Sequence, residues 1–261
     1  MLSDAQVERL IAQRARWAVN AEKALNDWIA DDPIAPDKRE NAHLFVVADP
    51  VPPRERLLLP VLGVGDYTAT FRDLVTATRH QAPGTFVPDM PTHLSNFSTT
   101  ADGWAWKSYA VFGQREESEQ GRERERGALI VEICENGQLR MMCGRATEDY
   151  NGKRLMFDDL VLGLTARIVS LAEGVSHAAG FLGSWDFGVG VTMLRGAISN
   201  RRYSGGFFTC PPYTADNYIA STRAALAEIE RGTGPVVERL LGRLYRAVGA
   251  DQVAEVKKHF A

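Results

Sequence analysis

The segment from Trp185 to Arg195 alternates between large side chains and small ones, and this pattern limits the folds open to the chain. Alternation with a period of two predicts a β-strand with one buried apolar face. Gly188 and Gly190 share the other face and leave a flat strip of backbone, onto which either a helix packs closely or a ligand binds. Close packing is the favoured interpretation. The nucleotide-binding pattern GxGxxG is absent, because Met193 stands where its third glycine would be.

A β-hairpin is the second constraint on the fold. Asn136-Gly137 lies between two apolar runs, and this dipeptide favours a two-residue turn in which both residues have positive φ. Such a turn pairs Cys134 with Leu139. It also places Cys134 and Cys143 on one face, about 13 Å apart, whereas a disulfide needs Cα atoms within about 7 Å.

Helical periodicity completes the predicted architecture. Helices are expected over 3–30, 66–81, 157–181, 214–231 and 235–248, while 82–103 is expected to be a loop. With the strands, they predict an α+β fold: a mainly antiparallel sheet with helices packed on one face. Residues 1–30 are interpreted as an N-terminal amphipathic helix, and 31–261 as a single α+β domain with a helical C-terminal part.

Composition excludes several classes of protein. The net charge of −3 argues against broad coating of nucleic acid, and the charge-rich run 114–126 is expected to be a solvated connection. We find no signal peptide and no apolar stretch approaching the roughly 20 residues of a membrane span. Three cysteines without a CxxC pair fit a reducing compartment and give no metal-site spacing. A cytoplasmic protein without a metal or cofactor, and not bound to a membrane, is the expectation.

No motif assigns a reaction to the chain. Walker A, HExxH and GxSxG sequences are absent, and the positions around Ser184 that GxSxG would fill with glycine hold Leu182 and Asp186. The sequence therefore assigns no catalytic residue. An enzyme whose active site escapes these motifs stays an alternative.

Two groups of residues are candidates for binding. The first is Trp185, Asp186 and Arg195, because a carboxylate at a strand start can have a perturbed pKa and a functional role. More often such a residue caps a turn. The second lies in the loop 199–206, where Arg201, Arg202 and Tyr203 precede two glycines and could hold an anion or a nucleic-acid phosphate. A solvated turn is the alternative interpretation of that loop.

The first helix also offers two large interface anchors. Trp17 and Trp28 are eleven residues apart, about three helical turns, so both can face one side. Burial of both in a second copy of the chain or in another protein would stabilise an assembly. The alternative is an amphipathic helix that docks on its own domain.

Three segments together resemble a known group of proteins: "AHLFVVADPV" (42–51), "GSWDFGVGVTMLRG" (183–196) and "VERLLGRLYRAVGA" (237–250). They are similar to the C-terminal region of actinobacterial Schlafen-like proteins with an AlbA-type domain, a class associated with DNA binding. In that class a separate N-terminal domain carries the inferred nucleic-acid binding, and here only the helix 3–30 precedes the similar region. The resemblance therefore transfers no site residue.

The expected function is that of a non-enzymatic intracellular regulatory or defence-associated domain protein that acts through protein contacts. Two alternatives remain open at this point. One is nucleic-acid binding through the basic loop, and the other is an enzyme with an unrecognised active site.

Overall fold

A central antiparallel sheet dominates the structure, a computed structural model that describes residues 22–62, 65–78, 96–109, 125–204, 206, 210–252 and 258–259. Within these residues the strands are β1 (Leu44–Val51), β2 (Asn96–Thr100), β3 (Gly103–Ser108), β4 (Leu129–Cys134), β5 (Leu139–Cys143), β6 (Thr147–Tyr150), β7 (Lys153–Met156), β8 (Ser184–Val191), β9 (Ile198–Ser199) and β10 (Tyr218–Ala225). Seven of them form the central sheet in the order β10-β8-β1-β5-β4-β3-β2, with every neighbouring pair antiparallel. Strands β6, β7 and β9 form a separate small sheet.

Helices cover both faces of the central sheet. They are α1 (22–30 in its described part), α2 (Leu59–Leu62), α3 (Tyr67–Ala77), α4 (Asp158–Ala179), α5 (Asn200–Ser204), α6 (Leu226–Ile229) and α7 (Gly234–Ala247). The predicted α+β class with an antiparallel sheet is confirmed. Helices α2, α3, α4, α6 and α7 contribute to the larger core on one face. Helix α1 packs on the opposite face, which carries the glycines of β8, so the helices are not confined to one face as predicted.

Strand β1 separates two cores by its alternation. Leu44, Val46 and Ala48 point into the larger core with α4, while Phe45 and Val47 point into the smaller core with α1. Because both faces of β1 are covered, the strand reads as a continuous apolar run rather than an alternating one. Its neighbours in the sheet, β5 and β8, carry the same division.

Helix α4 is the central element of the larger core. Asp158 and Asp159 lie in its first turn and Gly180 ends it in the left-handed conformation with φ 63°, as the sequence-based boundaries of 157–181 anticipate. By length and composition alone it could cross a bilayer, but 78% of its most apolar window is buried inside the fold. A core helix explains that composition, so α4 does not indicate a membrane protein.

The glycine strip of β8, formed by Gly188 and Gly190, lies directly under α1. A Cβ atom at Gly190 would come within 2.7 Å of Ile29 Cδ1, and one at Gly188 within 3.4 Å of Leu25 Cβ. The distance at Gly190 is shorter than van der Waals contact allows, and the distance at Gly188 is that of ordinary contact. The predicted close packing of a helix on this strip is therefore confirmed.

Trp28 packs on its own chain, so its predicted role as an anchor for a second protein is wrong. Its side chain is 8% exposed, its Nε1–H donates to the carbonyl of Met141 at 3.3 Å, and its ring meets Phe45 edge-on at 6.4 Å. These contacts satisfy both the apolar body and the polar atom of the indole. Trp17, the other predicted anchor, lies outside the described residues.

The hairpin between β4 and β5 exists, but its register differs from the predicted one by one residue. Ile133 pairs with Leu139, and the Gly137 N–H donates to the Cys134 carbonyl at 2.9 Å. The loop therefore has three residues and ends in Gly137 at φ 93°, as in hairpins that combine a type I turn with a left-handed residue. Because a shift of one residue reverses side-chain orientation, Cys134 and Cys143 lie on opposite faces.

The C-terminal part is less helical than predicted, because β10 replaces the central part of the expected helix over 214–231. Tyr218, Ala220 and Ala224 are buried at even positions of the strand, and β10 pairs along its whole length with β8 at the edge of the sheet. Arg239 of α7 donates to Thr222 Oγ1 at 2.8 Å and to the Arg223 carbonyl at 3.3 Å. The pairing with β8 therefore outweighs the helix propensity of this segment, and the segment forms a strand. The loop expected over 82–103 is likewise corrected in its last part, where β2 lies.

A fully buried histidine ties the segment after α1 to the core. His43 Nδ1 lies 2.7 Å from Asp32 Oδ2, and His43 Nε2 lies 2.9 Å from Glu125 Oε1. Since carboxylates only accept hydrogen bonds, both ring nitrogens donate and the ring is an imidazolium. Burial acts to lower the pKa of His43, but the hydrogen bonds and charges of Asp32 and Glu125 outweigh it and raise that pKa.

Glu125 is also the exception to the expected solvation of the run 114–126. Its side chain is completely buried, and it accepts hydrogen bonds from the backbone N–H groups of Glu40 at 2.8 Å and Asn41 at 2.9 Å. A charge can be buried when it is paired and hydrogen-bonded in this way. The rest of that run up to residue 124, together with residues 110–113 before it, lies outside the described residues.

We expect Gly137→Ala to destabilise the protein more than Gly152→Ala. Both glycines have positive φ, which costs alanine about 1 kcal/mol. At Gly137 the new Cβ would also lie 2.6 Å from Leu57 Cδ2 and 3.2 Å from Pro50 Cγ, whereas at Gly152 it meets nothing within 4 Å. Overpacking adds about 1–3 kcal/mol. Urea unfolding measures both variants, and equal losses would contradict the contact between this turn and β1.

We expect His43→Gln to lower the free energy of unfolding by about 3 kcal/mol, as for breaking a buried ion pair. Because the pKa of His43 is raised in the folded state, its stabilisation is fully present below pH ~6.5 and is lost as pH rises through the folded-state pKa. The gap between wild type and variant should therefore be largest near pH 6 and should narrow at alkaline pH.

Urea unfolding over a range of pH measures this gap. The exposed His177 provides the control, since its side chain is 58% exposed and His177→Gln should leave the pH profile unchanged. A constant gap between wild type and His43→Gln from pH 6 to alkaline pH would show that His43 is not charged.

Candidate functional site

Three charged residues lie side by side across the strands on the α1 face of the sheet. Asp186 of β8 is opposite Asp49 of β1 and opposite Arg223 of β10. The Asp186 carboxylate accepts two hydrogen bonds from Arg223, from Nε at 2.6 Å and from the terminal nitrogen at 2.6 Å. Asp186 is only 4% exposed, so this bidentate ion pair neutralises a charge that burial would otherwise make costly.

A pocket of about 350 Å³ opens beside this row, between α1 and the sheet. We call it the helix–sheet pocket. Its wall has three parts. Helix α1 contributes Lys23, Ala24, Asp27 and Trp28, with Asp31 just beyond the helix, and the sheet contributes Asp49, Pro50, Val51, Arg140 and Asp186. The chain after β1 and the β4–β5 turn contribute Pro53, Arg54, Asn136 and Gln138. The pocket exists because α1 covers only part of this face of the sheet.

Asp49 is the residue in this pocket whose hydrogen bonding is incomplete. Its Oδ1 accepts a hydrogen bond from Gln138 Nε2 at 2.5 Å, and Gln138 Oε1 in turn accepts one from Arg140 Nε at 2.5 Å. Its Oδ2 is buried and has no hydrogen-bond partner among the described residues. The pKa of Asp49 is raised to about 6. Burial and the nearby Asp186 raise it, and they outweigh the lowering effects of Gln138 and Arg140.

Of the first predicted group, the structure brings only Asp186 to the pocket. Trp185 points to the other face of the sheet, where it is fully buried and its Nε1–H donates to Ser176 Oγ at 2.8 Å. Arg195 lies on the surface, where Nε pairs with Asp216 at 2.7 Å and both side chains are about two-thirds exposed. The predicted combination of Trp185, Asp186 and Arg195 in one site is therefore wrong.

The second predicted group is held by contacts within the chain. Arg201 pairs through Nε with Asp159, and its backbone N–H donates to Asp158 Oδ2 at 2.9 Å. Arg202 donates to the carbonyl of Gly249 at 2.9 Å. These bonds anchor α5 to the ends of α4 and α7, so the two guanidinium groups have structural partners rather than an open anion site.

Tyr203 lies apart from those two arginines. It lines a shallow groove of about 680 Å³, where the Lys153 ammonium lies 4.8 Å from the centre of its ring. Gly205 of the predicted loop lies outside the described residues. The groove offers one cation–aromatic pair, which is a much weaker basic surface than the sequence-based hypothesis required.

The cysteines and the acidic residues form neither a metal-ligand cluster nor a disulfide within the part of the chain that the structure describes. No group of three or more His, Cys, Asp or Glu residues is placed to hold a metal ion there. The three cysteines form no disulfide, and burial raises the pKa of Cys134 to about 11 and that of Cys143 to about 12. These two thiols stay protonated and unreactive at neutral pH.

Sequence reasoning missed Asp49, Gln138, Arg140 and Arg223. A signal for Asp49 was present, because it is the acidic residue of the segment 42–51, which is apolar apart from His43 and Asp49, and a carboxylate inside a buried strand needs partners. Arg223 had no comparable signal, since it falls in the segment that was predicted to be helical.

Comparisons with protein-family models, with curated proteins and with solved structures find no match to this chain. The resemblance of three segments to Schlafen-like proteins therefore stays a prediction. The function of the chain is therefore inferred from the geometry of the pocket.

We expect Arg223→Ala to destabilise the protein by about 3 kcal/mol, because it leaves the buried Asp186 carboxylate without its counter-charge. Arg195→Ala is the matched control, since it breaks an Arg–Asp pair of similar distance on the surface and should leave the unfolding midpoint unchanged. Chemical unfolding of both variants measures the difference. Equal behaviour of the two variants would show that the Asp186–Arg223 pair is hydrated.

Proposed function

We propose that this chain is a non-enzymatic regulatory domain of the cytoplasm that binds a small polar molecule in the helix–sheet pocket. One observation carries the proposal: a pocket of about 350 Å³ lies over a buried carboxylate oxygen, Asp49 Oδ2, that the described residues leave without a partner. Buried polar atoms in proteins are nearly always hydrogen-bonded. An unpaired one beside a pocket therefore supports a ligand as the missing partner.

The size and wall of the pocket suit a small molecule. Its volume lies at the lower end of the range of about 300–1,000 Å³ that is usual for ligand pockets. Trp28, Pro50 and Pro53 provide apolar contact, while Asp49, Gln138 and Asn136 provide polar groups. Most of the other lining residues are charged, so the pocket suits a polar compound better than an apolar one.

Binding fits the pocket better than catalysis does. Among its lining residues none is Ser, Thr, Cys or His, the usual nucleophiles and acid–base groups. Asp186 is held in its ion pair with Arg223, so it is not available to exchange protons with a substrate. The Asp49 side chain is hydrogen-bonded to the neutral amide of Gln138 and not to a second acid–base group.

The regulatory part of the proposal follows from α1. Because α1 forms one wall of the pocket, a bound molecule contacts α1 and the sheet together, and it stabilises the docked position of α1 by mass action. Trp28 is buried in the smaller core. A partner protein, or a second copy of the chain, would therefore contact residues 1–21, which include Trp17.

A fragment screen by NMR on the full chain tests the proposal. We expect compounds from a library of small polar molecules to shift the indole N–H signal of Trp28 and the side-chain amide signal of Gln138. Ala24→Phe fills part of the pocket and should abolish these shifts, whereas Ala30→Phe, on the exposed side of the same helix, should retain them.

The Trp28 indole signal of Ala24→Phe also serves as the control that α1 is still docked. If no compound shifts these signals in the wild-type chain, or if Ala24→Phe binds the same compounds with the same affinity, the proposed function is wrong.

A further inference from the structure

The deep end of the helix–sheet pocket carries one negative charge that the chain does not neutralise by a direct ion pair. Asp49 accepts its only hydrogen bond from the neutral amide of Gln138, at Oδ1, and its Oδ2 is buried without a partner in the described part of the chain. A carboxylate in this position is stabilised most by a hydrogen-bond donor that also carries a positive charge.

The cationic side chains near Asp49 are committed elsewhere or lie at the rim. Arg140 donates through Nε to Gln138 at 2.5 Å, and its guanidinium lies 5.7 Å from the centre of the Trp28 ring. Arg223 is held by Asp186. Lys23 lies 4.0 Å from Asp27, with both side chains about two-thirds exposed, and Arg54 is exposed.

The α1 side of the pocket is also acidic. Asp27 and Asp31 lie four residues apart and both line the pocket. Helix α1 ends at residue 30, so the negative end of its dipole lies at the same side. A positive charge between α1 and Asp49 is favoured by both walls.

We propose that the pocket takes a small organic cation with a flat nitrogen head group, an amidinium or guanidinium, that donates hydrogen bonds to Asp49. The inference rests on the proposed function, since it names the ligand class of that same pocket. The body of the ligand packs against Trp28, Pro50 and Pro53. The head group lies between the sheet and the acidic end of α1.

A small rotation of Asp49 makes its oxygen accessible to such a head group. The χ2 torsion of an aspartate is broad, so rotation about it costs little. The rotation turns Asp49 Oδ2 toward the pocket. The long side chain of Gln138 moves with it, so its amide keeps the hydrogen bond to Asp49 Oδ1. The flat head group then donates two parallel hydrogen bonds in the geometry that carboxylates prefer.

The protonation state of Asp49 makes this binding dependent on pH. Because burial raises the pKa of Asp49 to about 6 in the unbound protein, the carboxyl is mostly protonated at pH 5 and mostly ionised at pH 7. A cation binds the ionised form, so its apparent affinity should be about tenfold lower at pH 5 than at pH 7. The other acidic groups of the pocket, Asp27, Asp31 and Asp186, face the same cation.

Benzamidine is the probe, because it combines an amidinium with a flat apolar ring. Benzamide, its neutral counterpart of the same shape, and benzoate, the anionic one, are the controls. We expect benzamidine at millimolar concentration to shift the Trp28 indole and Gln138 amide signals of the full chain at pH 7, and the two controls to leave them in place.

Asp49→Asn should abolish the benzamidine shifts, whereas Asp216→Asn, at the exposed ion pair with Arg195, should preserve them. If benzamide or benzoate shifts the pocket signals as strongly as benzamidine does, or if folded Asp49→Asn binds benzamidine like wild type, the cation proposal is overturned while a ligand pocket remains supported. If benzamidine moves none of these signals, the cation proposal is overturned as well, and the fragment screen decides separately on ligand binding.

Discussion

The contact between α1 and the glycine strip of β8 is the constraint on which the candidate site depends. Because Gly188 and Gly190 have no side chains, Leu25 and Ile29 lie close to the space that side chains at these positions would occupy. This approach buries Trp28 against β1 and β5, and it turns the sheet face around Asp49 and Asp186 into a pocket. A bulkier residue at Gly190 would clash with the Ile29 side chain, so Ile29 or the helix would have to shift.

Much of the fold could be predicted from the sequence because the period-two and period-3.6 patterns are strong where one face is buried. Strand β8, the hairpin around Asn136 and helix α4 follow from such patterns. The hairpin register could not be predicted, since Asn-Gly also fits a three-residue loop. Strand β10 was missed because its alanine-rich composition favours a helix, and only the neighbouring β8 makes it a strand.

The candidate site was harder to predict than the fold. Asp186 was found because it stands beside a conspicuous tryptophan, but its partner Arg223 lies 37 residues further along the chain. Arg195, Arg201 and Arg202 attracted attention as local clusters of charge, and the structure gives each of them a partner within the chain. The sequence shows which residues are charged. It does not show which charges remain uncompensated, because that depends on contacts between distant segments.

The position of α1 also sets an order of events for a newly made chain. Trp28 and the Met141 carbonyl to which it donates are separated by 113 residues, and β8 lies further along the chain. Closing a loop of this length lowers the chain entropy, and this loss is offset only after the contacts have formed. We therefore expect α1, although it is synthesised before the strands of the sheet, to reach the sheet only after β1, β5 and β8 have paired. The helix–sheet pocket is then among the last features to form, so ligand binding would distinguish completely folded molecules from nearly folded ones.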